Sequence, residues 1–386
     1  MKAWLSVASV FLLGVVAWPV GAQSDFAKAT SDKQTPAQFF AGRLPAWFPV
    51  PKVPADNPLT EEKVELGRHL FYEPMLSGNS TIACATCHRQ TLAFTDGLAR
   101  AIGSEGGVHQ RSSMSLANVA YNASFGWIDR TTSLESQMQV PMYNQLPVEM
   151  GLKGHETEVL GRFAADADYT ERFRTAFPGE PQPITLANIV KAIASFERIM
   201  VSGDSSFDRY VYRDDDSGMS PAAKRGVALF FSARLKCSEC HGSVNMSGPT
   251  IFTGAKPADP ATFFHDTGVA AEAAKFRAPT LRNIAVTAPY MHDGSVATLK
   301  DVVAHYAAGG RSKRQKSDKV RGFAISPAEI DDVVAFLRTL TDERFLANPA
   351  FSNPLSNPDL RREDRRGRRT NSAPPGALGF RTVRNQ

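Results

Sequence analysis

Apolar residues in this chain recur at the three- and four-residue spacing of helices, while period-two alternation, the mark of half-buried strands, is scarce. One such stretch runs from Leu186 to Met200. A second runs from Thr298 to Ala307 behind a Thr298/Asp301 start, and a third from Pro327 to Leu340 behind a Ser326/Glu329 capping box. A weak internal repeat predicts two further short helices. These end in Gly67-Arg68-His69-Leu70-Phe71 and in Gly226-Val227-Ala228-Leu229-Phe230, with Ser220-Pro221 as cap and first turn of the second. Gly and Pro crowd the intervening segments. The pattern predicts an all-α fold of two small helical domains with long irregular loops, residues 45–205 and 206–345. Residues 23–44 carry no readable signal.

The two ends of the chain depart from this pattern. Lys2, the apolar run Ala3 to Trp18 and Val20-Gly21-Ala22 read as a secretory signal over residues 1–22, cleaved before Gln23. No later segment is apolar for the length a bilayer needs. The formal charge of +5 belongs to the other end, where residues 359–386 hold eight Arg against Asp359, Glu363 and Asp364. Without apolar periodicity, residues 346–386 are expected to form a disordered basic tail. Nothing in the pattern points to nucleic-acid recognition.

Chemistry enters through one pentapeptide written twice, which uses all four cysteines: Cys84-Ala85-Thr86-Cys87-His88 and Cys237-Ser238-Glu239-Cys240-His241. Two thiols one helical turn apart can form thioethers with the vinyl groups of a haem, and the histidine that follows can bind its iron. A disulfide within each pair would leave that histidine unexplained twice. A structural zinc wants four ligands where each motif offers three. Two covalent haem c groups are therefore expected, in a protein exported to the periplasm, where such thiols are delivered reduced.

Several further segments surround these motifs: Leu66 to Phe71, Ala93-Phe94-Thr95-Asp96-Gly97, Trp127 with Gln137 ten residues on, Lys191 to Arg198, Pro279 to Asn283, and Thr287 to Gly294. In combination they resemble the bacterial di-haem cytochrome c peroxidase and MauG family across almost the whole mature chain. The resemblance implies that His88 holds the peroxide-reactive haem, with Gln137, Pro141 and Glu149 on its open face. Glu149 would act as acid/base on bound peroxide and Gln137 as an orienting donor. The stretch from Pro141 to Glu149 is two residues longer than is usual there, and Pro147 stands where strict counting puts the acid.

Two departures sharpen the expectation. Ile102-Gly103 is followed by Ser104, where ordinary peroxidases of the family carry a histidine that caps the resting iron, so the first haem is expected to stay open unless His109 replaces the cap. At the second haem, held by His241, the resemblance places Tyr306 where those peroxidases have Met; a phenolate favours high oxidation states. Met291, His292, His305 and Met246 are the alternative sixth ligands. Trp127 matches a relay residue between the haems. A calcium ion is implied at the carbonyls of Thr287 and Pro289, with Ser112 in place of the usual Asn.

The resulting expectation is an oxidoreductase that uses hydrogen peroxide to reach a high-valent di-haem state and oxidises a partner protein at Trp over a distance. The Arg111 to Leu116 loop and the Tyr306 segment look like the methanobactin-associated branch, whose partner binds copper. The rivals are an ordinary cytochrome c peroxidase, fed by a small cytochrome or copper protein, and a di-haem electron carrier without catalysis.

Overall fold

The computed structural model describes residues 34–128, 131–248, 253, 264–269, 275–311 and 316–356. The expected signal segment and the Arg-rich stretch lie outside them. Among the described residues no helix is long and apolar enough to cross a membrane.

The fold is mostly helical, as expected, and each half is built on one crossing of two helices. In the N-terminal half α2 (Glu61–Tyr72) packs on α7 (Leu186–Arg198). Thr60 caps α2 by accepting from the Lys63 N–H, and Thr185 caps α7 by accepting from Asn188. The helices approach so closely that a Cβ on Gly67 would overlap the Ala192 carbonyl. Phe71 then packs edge-on against Phe196 at 5.4 Å. The C-terminal half repeats the device. There α9 (Pro221–Phe230) crosses α11 (Pro327–Arg338), a Cβ on Gly226 would overlap the Asp332 carbonyl, and Phe230 meets Phe336 at 5.1 Å. Both glycines come from the internal repeat, so the repeat records a packing requirement.

Around these crossings lie α1 (Pro36–Phe40), α3 (Cys84–Cys87), α4 (Leu134–Tyr143), α5 (Glu156–Ala165), α6 (Ala167–Ala176), α8 (Ser206–Arg213), α10 (Leu299–Ala307) and α12 (Glu343–Leu346). Ser326 and Glu329 form the expected capping box of α11, and Thr298 caps α10. The helices expected from Leu186 and Pro327 both stop two residues early, at Arg198 and Arg338. The one sheet described is a two-residue antiparallel ribbon, β1 (Phe264–His265) with β2 (Phe276–Arg277), pairing Phe264 with Arg277 and His265 with Phe276.

The core divides into two main clusters. The larger gathers Leu70, Phe71, Phe94, Phe163, Phe173, Ile193 and Phe196; the other centres on Phe230, Val333 and Phe336. Each buried Phe contributes roughly 1.5–3 kcal/mol of transfer free energy. Arg282 and Asp208, both buried, form a two-pronged ion pair at 2.8 and 2.9 Å that fixes α8 to the Thr280–Asn283 segment.

Two expected boundaries move. Phe39 and Phe40 of α1 join the larger core, so the silent stretch 23–44 contains a folded part. Folded chain also continues past the boundary expected at residue 346: Phe351 joins the N-terminal core, as does Phe345 from the end of the expected second domain, and Leu346 packs against it. There the Tyr72 hydroxyl donates to the Phe351 carbonyl and Gln90 donates to that of Asn348. The chain thus returns from the second half to close the first.

Candidate functional site

The first motif is a single helical turn, α3, and His88 ends it. Ala93 and Phe94 adopt left-handed backbone conformations, φ 50° and 62°, which turn the Phe94 carbonyl back to accept from His88 Nδ1 at 2.7 Å. The carbonyl can only accept, so Nδ1 carries the proton and Nε2 keeps its lone pair for a metal. At the second motif the Pro279 carbonyl does the same for His241 Nδ1 at 3.1 Å. Burial keeps both rings neutral, the ligand form: His241 is lowered to about 4 and His88 is lowered as well.

The four cysteines are unpaired. Burial pushes Cys87 and Cys237 up to about 11 and raises Cys84 and Cys240 too, so all four stay protonated at neutral pH, unlike reactive or zinc-binding thiolates. The second motif opens on a cavity of about 580 Å³, whose lining includes Cys237, Cys240, His241 and Tyr306. Unpaired thiols and a histidine with a committed Nδ1 fit a c-type haem at each motif, and at the second the cavity gives it room.

The residues expected at the first haem come from α4 and the loop that follows it. Gln137 and Pro141 lie one turn apart on α4, hence on one face. The Gln137 amide oxygen accepts from the Thr131 hydroxyl at 2.7 Å, which orients the side chain. Glu149 hangs from the loop after α4, with its carboxylate 3.4 Å from the Asn144 amide and near enough to Cys84 and Cys87 to raise both thiols. The Ser104 N–H donates to the Glu149 carbonyl at 2.8 Å, and a Cβ on Gly103 would overlap the Val148 carbonyl. The segment where a capping histidine was sought is therefore strapped to the loop of the acid. His109 lies on the returning arm of that hairpin, its buried Nε2 without a hydrogen-bond partner.

Beside the second motif, Tyr306 ends α10 with its phenol at the cavity, hydrogen-bonded to Thr267. Burial pushes the hydroxyl up to about 12. Met291 and His292 also line the cavity. His305 is turned to the Thr267 carbonyl at 3.0 Å, and Met246 is buried in the core. Trp127 lines this same cavity: its indole N–H donates to the Ser112 carbonyl at 2.8 Å and its own carbonyl accepts from Arg277 at 2.9 Å. The calcium candidates Thr287, Pro289 and Ser112 share the wall; the Ser112 hydroxyl donates to the Met291 carbonyl at 3.2 Å.

Two charged residues that sequence reasoning did not single out stand at these sites. Glu197, at the end of α7, is buried, with Oε2 unpartnered; burial raises its carboxyl to about 8, and it influences Cys84 more than any other charge does. Arg277 is buried at the second cavity without a carboxylate partner among the described residues. Both needed tertiary structure to be seen, although Glu197 lies inside a recognised segment.

Comparison with known proteins agrees with this geometry. The di-haem cytochrome c peroxidase family matches residues 61–216 and the cytochrome c family residues 223–341. The methylamine utilization protein MauG of Methylorubrum extorquens is 36% identical over 304 residues, covering 78% of this chain and 83% of that protein. The chain belongs to the di-haem cytochrome c peroxidase and MauG family. As a member it is an oxidoreductase, and its two cytochrome c units imply haem c. Both branches lie within reach: the cytochrome c551 peroxidase of Pseudomonas aeruginosa is 30% identical over 78% of this chain and 83% of its own. Among solved structures, a MauG-like protein associated with microbial copper homeostasis superposes with a TM-score of 0.77 at 39% identity, covering 81% of this chain and 98% of that one.

Proposed function

We propose that this chain is a periplasmic member of the MauG branch, exported by residues 1–22, which uses hydrogen peroxide to oxidise Trp residues of a partner protein at a distance. The observation that carries this reading is Tyr306, a half-buried phenol lining the same cavity as His241 and lying close to Cys237 and Cys240. An anionic oxygen ligand favours oxidised iron, where Met would favour an electron-accepting haem. Haem bound at the two motifs supplies the two-electron redox chemistry. The chain supplies everything around it. Glu149 takes the proton from one peroxide oxygen and returns it to the other, which leaves as water. Gln137, oriented by Thr131, holds the reacting oxygen by a hydrogen bond. Pro141 removes an N–H donor from that face of α4. Trp127, held at both ends, is positioned to carry charge between the two sites.

The two electrons that reduce peroxide to water come from the partner. The likeness to the copper-homeostasis protein supports a partner that binds copper. Neutral oxygens at Ser112, Thr287 and Pro289 are compatible with a calcium ion near Trp127. The test is stoichiometric peroxide added to the fully oxidised protein. A lasting spectral change without prior reduction, followed by a mass shift at Trp of a copper-binding partner, is expected. Reaction only after reduction by a small cytochrome would replace this reading with that of an ordinary peroxidase. No reaction under either condition would leave an electron carrier.

A further inference from the structure

Buried guanidinium groups are costly unless an anion meets them. Arg282 obeys the rule through Asp208, and Arg198 through Glu135. Arg277 does not. It is 7% exposed, its Nη2 touches only the neutral oxygens of Asn122 and Ser247, and burial alone lowers it to about 10. The other cations on the cavity wall, Arg234, Lys236, Lys319 and Arg321, are exposed or near the surface, and all but Lys319 have carboxylate partners, in Glu329, Glu239 and Asp318. Arg277 is therefore a buried cation facing a cavity that, on the present reading, holds a molecule with two carboxylates.

We propose that Arg277 is the counter-ion of a propionate of the haem held by Cys237, Cys240 and His241, and that it ties this carboxylate to Trp127. The tie is visible on the protein side. Arg277 lies on β2, its N–H donates to the Trp127 carbonyl, and the neighbouring Phe276 stacks on His292 at 3.7 Å, which in turn meets the Trp127 ring edge-on at 6.4 Å. β1 leads to Thr267, the partner of Tyr306. One short ribbon thus joins the haem carboxylate, the relay tryptophan and the sixth-ligand tyrosine. A fixed positive charge here favours the reduced iron, opposing the phenolate and keeping the second haem within range of the first.

The inference rests on the reading that the second motif carries a haem. Redox titration of the holoprotein, following the two haems by their separate spectra, tests it. Arg277→Gln should shift the one-electron reduction equilibrium of the second haem at least tenfold toward the oxidised form, about 59 mV, with the first haem unmoved. Arg277→Lys should recover most of the shift. Asn122→Asp, which offers the guanidinium a competing carboxylate, should lower the same potential and serves if Arg277→Gln fails to assemble. A second-haem potential within twofold of wild type in whichever of these variants assembles, or a shift at the first haem instead, overturns the role of Arg277. Covalent haems are counted separately by intact mass: fewer than two removes the underlying reading, whereas two haems with unmoved potentials remove only this inference.

Discussion

The two haem-binding halves share a scaffold and differ in what faces each histidine. Both use a glycine-mediated helix crossing, a Phe pair behind it, and a backbone carbonyl that fixes the histidine tautomer. Near the first motif the chain places the Glu149 carboxylate, close enough to Cys84 and Cys87 to raise both thiols, and where a capping histidine was expected it has Ser104, with His109 on the returning arm. The cavity at His241 is also lined by a phenol, Tyr306, and by Arg277, a buried positive charge. Duplicated scaffolding makes two haem sites cheap to encode; function comes from the residues that break the symmetry. On the proposed reading, the Glu149 side would move a proton and the Tyr306 side would hold charge.

Tyr306→Met would erase the difference most completely. Axial ligands move haem potentials over a range of about 0.8 V, so the second haem is expected to rise by a few tenths of a volt. The response of oxidised protein to peroxide should then disappear unless the protein is first reduced. Redox titration and the peroxide-induced spectrum check both effects. An unchanged potential would assign the sixth position to Met291 or His292.

Glu149→Gln attacks the other side. Loss of a general acid/base slows proton-coupled bond cleavage by roughly 10²–10⁴-fold, and stopped-flow mixing with peroxide should show that loss while the spectrum of the second haem stays as in wild type. A loss below tenfold would move the role to another group near Cys84, and Glu197 is the obvious successor.

Glu197 also makes a pH prediction peculiar to the first half. Burial raises its carboxyl from about 4.5 to about 8 in the folded protein. The folded state therefore holds a proton that the unfolded chain has released. Its stabilising effect is complete below pH 4.5 and is lost as the pH rises through 8, worth at most a few kcal/mol. Glu197→Gln cannot ionise, so its melting temperature should fall less than that of wild type between pH 5 and pH 8. Parallel curves would mean that the carboxyl is ionised and paired in the holoprotein.

Much of this was legible from residue order. The haem motifs, the caps at Thr298 and Ser326 and the glycine repeat are local signals, and they lie where the chain said they would. Tyr306 and Glu149 were named from resemblance, and the fold brings each beside the cysteines of its own motif. What escaped was long-range. Phe345, read as the end of the second domain, and Phe351, read as tail, close the N-terminal core from the far end of the chain, and no local pattern marks either for that role. Arg277 and Glu197 look like surface charges until the fold buries them, since desolvation is a property of the assembled structure.

The smallest expected effect tests whether the two scaffolds are as alike as they look. Ala is favoured over Gly inside a helix by about 1 kcal/mol, so at an open position Gly67→Ala and Gly226→Ala would each stabilise the protein. At these crossings the new methyl group meets the carbonyl of Ala192 or of Asp332. Backbone cannot yield as a side chain can, so each substitution should instead cost roughly 1–3 kcal/mol of overpacking. Denaturant unfolding of both holoproteins should show similar losses if one crossing is the copy of the other. A loss at Gly67 with none at Gly226 would mean that α9 and α11 can slide apart. The C-terminal haem would then be held by its ribbon and loops, and the likeness of the halves would end at the motif.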